Sequence, residues 1–146
     1  MVNHDKIART RGYRNNNPLN IIRNKTNWKG MCKAQTDDKF VQFETMFFGF
    51  RASIIIICRS YYLRGWWTIE SIISHWAPST ENNTKAYIGF VVSKMGLSPN
   101  TKLPRPNLSS KRIWRNLIMA MTVYENGGWL EEYMADLDKA LNQILK

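Results

Sequence analysis

Two carboxylates and one phenol are the side chains whose placing could support acid–base chemistry. Glu125 follows Met121-Thr122-Val123-Tyr124 and precedes Asn126-Gly127-Gly128. A helix ending on that signal puts the carboxyl at the negative end of the helix dipole, with Tyr124 or Trp129 as apolar cover. Both effects disfavour the ionised form and raise the pKa, as a general acid working near neutrality requires. An exposed acid ahead of a glycine cap fits the same residues. Glu81, in Ser79-Thr80-Glu81-Asn82-Asn83-Thr84-Lys85-Ala86-Tyr87, falls at an expected helix start. There the dipole favours the carboxylate, which suits an electrostatic or positioning role, or an ordinary first-turn acid. Tyr87 follows roughly two turns later, so it would orient a carboxylate from another element or simply pack. Glu44, after Phe43, ranks third. His75 beside Trp76 reads as a packing or capping side chain.

The segment Arg11-Gly12-Tyr13-Arg14-Asn15-Asn16-Asn17-Pro18-Leu19-Asn20-Ile21 suits neither a helix interior nor a strand interior. Asparagine tolerates left-handed backbone and bonds neighbouring amides, while proline fixes φ and removes a donor. The expected product is an ordered turn rich in amide groups. It is suited to holding a sugar or a peptide at Arg14, Asn15, Asn16 and Asn17, or it is a surface turn entering a strand. Trp28 offers a flat apolar face for a sugar ring, or a ring for the core. Carboxylates set among aromatics and asparagines point to work on glycans. No P-loop, dinucleotide fingerprint, Gly-x-Ser-x-Gly elbow or zinc spacing is present, so no metal and no cofactor are expected.

The elements that must position these groups are mostly helical. Residues 20–43 read as a small β hairpin or meander, with Phe40-Val41-Gln42-Phe43 alternating in character. Thr45 to Leu63 reads as a core helix broken at Gly65. Thr68 caps a shorter helix ending at Trp76 before Pro78. Another begins after Ser79-Thr80 and stops at Gly96. Ser98 to Asn107 holds three prolines and is loop. Ser109-Ser110 caps a helix over Lys111 to Glu125, and Trp129 to Leu145 forms the last. The expected class is α+β, mostly helical with a small β lobe.

The 146 residues are a single-domain length, and the 44% hydrophobic and 12% aromatic content argues for a folded globule. Cys32 and Cys58 are expected as buried free thiols. Met1-Val2-Asn3-His4-Asp5 has no apolar signal region, and no run is long enough to span a membrane. Synthesis in the cytoplasm without a signal peptide and no membrane insertion are therefore expected. A net charge of +10, from 21 basic and 11 acidic side chains, implies an anionic partner such as nucleic acid, a membrane surface or the bacterial wall.

Several motifs recur in order: Arg11-Gly12-x-Arg14-Asn15-Asn16-Asn17-Pro18-x-Asn20-Ile21, Trp28-x-Gly30, Phe40-x-x-Phe43, Gly49-x-Arg51-Ala52 and Trp76-Ala77-Pro78. Glu81-Asn82-x-Thr84-x-x-Tyr87 completes the set. The chain resembles the small phage and prophage proteins related to the cystoviral virion-associated lytic enzyme. The resemblance spans about residues 9 to 97, and more loosely the helix ending at Glu125-Asn126-Gly127. It implies a lysozyme-like fold and degradation of peptidoglycan during phage entry or host lysis. A fainter similarity is to lytic transglycosylases and wall glucosaminidases, in which the catalytic helix precedes the Asn-rich turn instead of following it.

The leading expectation is one lysozyme-like domain over residues 1–146, a monomer cleaving the glycan strand of peptidoglycan. Glu125 would protonate the glycosidic oxygen, with Glu81 and Tyr87 assisting and Arg14, Asn15, Asn16, Asn17 and Trp28 binding substrate. It would act at the cell wall, whether carried in a virion or released in lysis. The alternatives are a peptidoglycan endopeptidase, a non-catalytic virion structural or wall-binding protein, and a nucleic-acid-binding domain. The last rests on Arg9, Arg11 and Arg14, but the remaining basic residues are scattered and no helix-turn-helix appears. The charge makes one prediction. Retention on purified sacculi, followed by pelleting, falls steeply as added salt shortens the Debye length below about 10 Å.

Overall fold

The computed structural model describes residues 3–79 and 83–146. A short lead forms α1 (His4–Ala8) and α2 (Arg11–Arg14), the latter capped by Thr10, whose hydroxyl accepts from the Tyr13 amide at 3.3 Å. The apolar run becomes α3 (Met46–Ile54), which widens without a break into a π-helical stretch over Ile55–Tyr61. Gly65, at φ +81°, ends it. Thr68 and Ser71 then form a reciprocal cap on α4 (Ile69–Trp76). After the loop come α5 (Thr84–Met95), α6 (Lys111–Asn126) and α7 (Tyr133–Ile144).

These helices enclose one continuous core. α3 packs along α7, and α6 lies between α5 and α7. Trp114, Leu117, Ile118 and Met121 of α6 are fully buried, as are Leu137 and Leu141 of α7. Leu117, Ile118, Met121, Leu137 and Leu141 lie on apolar stripes legible in the sequence, whereas Trp114 takes the fully buried place that the pattern gave to Ile113, which is half-buried. Some boundaries move. α5 starts on an Asn83 cap, α6 follows a 3₁₀ turn capped by Asn107, and α7 begins at Tyr133 instead of Trp129. The expected cap at Thr80 lies outside the described residues.

The α+β expectation, with its lysozyme-like β-hairpin lobe, is corrected. The described fold is all helical, and residues 20–43 contain only two isolated antiparallel bridges, Ile22 with Phe40 and Met31 with Phe43. The reason lies in where the backbone groups go. The Val41 amide bonds Ile21, the Phe43 amide bonds Asn15, and the Glu44 amide bonds Gly30. One extended segment thus divides its backbone groups among several neighbours, and no ladder propagates. Side-chain amides supply the missing partners. Asn17 donates to the carbonyls of Ile21 at 3.0 Å and Val41 at 2.9 Å, and its Oδ1 accepts from the Ile21 amide at 2.9 Å. Gln35 and the Gln42 backbone exchange two bonds of 2.8 Å. Asp37 accepts from the amides of Lys39 and Phe40 and from Arg11.

The Asn-rich turn adopts the left-handed geometry its composition favours, with φ of 52° at Asn16 and 55° at Asn20. It is seated between two glycines. A Cβ on Gly12 would overlap the Asn126 side chain, and one on Gly49 would overlap the Asn16 carbonyl oxygen. Gly89, mid-way along α5, has open space instead. Gly49→Ala is therefore expected to lose about 1–3 kcal/mol through overpacking, whereas Gly89→Ala gains up to about 1 kcal/mol of helix propensity. Thermal melts of the two variants read the opposite signs.

Candidate active site

Glu125 sits one residue before the end of α6, a position set by Gly127, whose φ of 76° terminates the helix. Its carboxylate is clamped from two sides. The Tyr87 hydroxyl of α5 donates to Oε2 at 3.0 Å, and Asn20 Nδ2 of the Asn-rich turn donates to Oε1 at 3.0 Å. Tyr87 is almost fully buried, and Tyr124 stacks on its ring at 4.1 Å. Asn126, the next residue, fixes the arrangement. Its Nδ2 donates to the Pro18 carbonyl at 2.7 Å, and its Oδ1 accepts from the Thr10 hydroxyl at 3.2 Å. The helix end and the turn are therefore held together by adjacent side chains, one polar contact structural and the other at the carboxyl.

Burial raises the Glu125 pKa above its ordinary 4.5, and the donors Asn20 and Tyr87 offset part of that rise. The carbonyl end of α6 acts in the same direction as burial. Burial, then the Glu125 charge and hydrogen bond, hold the Tyr87 phenol well above 10, so it stays a proton donor to the carboxylate. A cavity of about 60 Å³ opens beside the carboxyl, lined by Leu19, Asn20, Ile22, Phe40, Trp76 and Glu125 among others. That volume is roughly two waters' worth, so it admits a reacting oxygen but no sugar ring. A groove of about 530 Å³ adjoins it, sharing Asn20, Ile22 and Trp76 and adding Trp28.

The structure thus brings together Glu125 and Tyr87, with Trp28 in the adjoining groove. Glu81 lies outside the described residues. Arg14 is exposed at the end of α2, and Asn15 to Asn17 line neither cavity. Their amides are engaged within the fold: Asn15 with Asp37 and Gln42, Asn16 with the Phe43 carbonyl, and Asn17 as described. Glu44 is exposed and lines neither cavity. His75 stacks on Trp66 at 3.4 Å and bonds the Ser71 carbonyl. Trp129 packs on Phe50 and Tyr133 instead of covering Glu125. Two residues escaped the sequence reading. Asn20 is the carboxyl's partner, and Trp76 lines both openings. The left-handed tendency of an asparagine two residues after the proline was the available signal for Asn20. Cys58 is buried and Cys32 half-buried, both free.

Comparison with known proteins places the chain. It is 40% identical over 121 residues to Protein P5 of Pseudoalteromonas phage PM2, covering 80% of this chain and 71% of that protein. The chain belongs to the family of this phage protein. No family model matches it. Among the described residues, no helix is long and apolar enough to cross a membrane. Nor do three or more His, Cys, Asp or Glu side chains among them gather where they could hold a metal ion. A member of the Protein P5 family with this carboxyl makes a pH-dependent prediction. Because the folded pKa of Glu125 is raised, ionising it costs stability as pH rises from below 4.5 through the raised value. Glu125→Gln should therefore gain stability over wild type across that window. Asp37 is the opposite case. Arg11 holds its carboxyl well below 3.8, so the stability it contributes is present above 3.8 and is lost as pH falls below it. The deficit of Asp37→Asn should therefore shrink on acidification. Urea titrations of the three proteins at stepped pH measure both trends.

Proposed function

We propose that the protein is a phage peptidoglycan-degrading enzyme that cuts the glycan strand, with Glu125 as general acid. The observation that carries this reading is the half-buried carboxyl of raised pKa at the closed end of a cleft, oriented by Asn20 and Tyr87. Asn20 lines the cavity and Tyr87 does not. In this reading Oε2, held by the buried Tyr87, is the anchored oxygen and Oε1, held by the cavity-lining Asn20, is the one that gives the proton. Protonation of the glycosidic oxygen from Oε1 lets the bond break with positive charge developing on the sugar ring. The resulting carboxylate is stabilised by the same two donors. The sugar cation is then captured by water or by a hydroxyl of the same sugar. The phage relative and the motif resemblance to virion-associated lytic enzymes support a wall target reached in entry or lysis, in or out of a virion. The net charge of +10 supports attraction to an anionic wall.

One observation favours a second, non-catalytic reading. Both oxygens of Glu125 are hydrogen-bonded within the protein, so the carboxyl also serves as a clamp joining the turn, α5 and α6. A virion structural or wall-binding protein needs no more. Turbidity of purified Gram-negative sacculi decides between them. Wild type clears them, and Glu125→Gln, folded and no less stable, loses roughly 100-fold or more of that rate. Mass spectrometry of the released fragments then reads the bond. New reducing ends or anhydro-muramyl ends support strand cleavage, freed peptide amines would mean an endopeptidase, and binding without soluble fragments would mean the clamp is only structural.

A further inference from the structure

The larger groove beside the Glu125 cavity has walls from three pieces of chain. The segment after Asn20 supplies Asn24, Thr26 and Trp28, and the π-helical stretch supplies Ile56, Ser60 and Tyr61. A π turn closes on the fifth residue onward, which brings Ile56 and Tyr61 to the same opening. Trp76 and Arg64 complete it. Its aromatic surfaces are held in place. Trp76 Nε1 donates to the Leu19 carbonyl at 3.1 Å, and Tyr61 packs edge-on against Trp66 at 4.9 Å and Trp76 at 6.2 Å. Fixed rings present apolar planes with little entropy left to lose on binding. Between them stand the amide of Asn24 and the hydroxyls of Thr26 and Ser60.

The charge in this groove is one-sided. Among the described residues lining it, Arg64 is the ionised side chain, and no carboxylate accompanies it. Its guanidinium also lies over the Trp66 ring at 5.4 Å, so a cation sits at the rim of an aromatic, hydroxyl-rich cleft. The complementary ligand has flat apolar faces, hydroxyl and amide groups, and a negative charge at one end. The volume of about 530 Å³ falls within the range of ligand sites.

We infer that this groove binds the sugar next to the cleaved bond together with the carboxylate of its peptide substituent, and that Arg64 selects strands carrying the peptide. The inference rests on the peptidoglycan reading of Glu125, and its test is independent of cleavage. In the Glu125→Gln variant of this 146-residue chain, tryptophan fluorescence is titrated with a purified disaccharide-peptide, an uncharged chito-oligosaccharide and the free stem peptide. The disaccharide-peptide is expected to bind about 10-fold tighter than the uncharged sugar, a charge-assisted contact's worth. The free peptide should bind least. Adding Arg64→Gln should erase that preference while leaving the uncharged sugar's affinity in place, and Trp28→Ala should weaken both saccharides. Arg64 is exposed, so its substitution leaves the melting temperature unchanged. Equal binding of the two saccharides, a preference that survives Arg64→Gln, or no saccharide binding overturns the inference. Sacculi that are bound but never cleared remove the catalytic reading and leave the groove assignment standing.

Discussion

The seating of the Asn-rich turn against the end of α6 is the constraint on which the site depends. Asn126 donates to the Pro18 carbonyl, and its neighbour Glu125 receives Asn20 from the same turn. Gly12 exists as a glycine because the Asn126 side chain occupies the space of a Cβ. Gly49 does the same for the Asn16 carbonyl on the other face. Asn17, fully buried, ties the turn to Ile21 and Val41 with all of its bonded groups on backbone. A buried amide stripped of such partners costs about 1–3 kcal/mol, so the network locks the turn in one geometry. The carboxyl's partner is delivered by that lock.

Two carboxylates in the same molecule have been pushed in opposite directions by their surroundings. Asp37 is met by a guanidinium, an amide side chain and two backbone N–H groups, and its charged form is favoured. Glu125 is met by two neutral donors in a largely desolvated corner, where burial outweighs them. The first carboxylate organises the segment between residues 20 and 43, which has no sheet to hold it. The second sits where burial favours its neutral form. Divergent pKa values of this kind are the feature by which candidate acids and bases are sought within a fold.

The cleft gives the carboxyl an approach. The small cavity at Glu125 has room for about two waters, and the larger groove beside it, at about 530 Å³, falls within the range of ligand sites. The shared walls, Asn20, Ile22 and Trp76, come from elements far apart in sequence.

The sequence by itself determined most of the helices and the amide-rich character of the turn, but not α2 (Arg11–Arg14), which lies in the segment read as turn. Apolar spacing gave α6 and α7 their buried stripes, and glycines stopped the chain at Gly65, Gly96 and Gly127, because these are local consequences of side-chain shape and backbone freedom. A raised pKa at Glu125 was expected from its place at a helix end, but burial, which depends on what packs over that end, is the larger cause. Alternation in Phe40 to Phe43 suggested a strand, but strand formation requires a partner in register, and the partners here are scattered. The asparagine triplet was legible as amide-rich, yet whether those amides face a ligand or the fold depends on what lies across from them. Only the tertiary structure decided that they face inward, that Asn20 instead reaches the carboxyl, and that Tyr87 meets Glu125. Those pairings join residues 38 and 105 positions apart, and no local preference encodes a contact over such a separation.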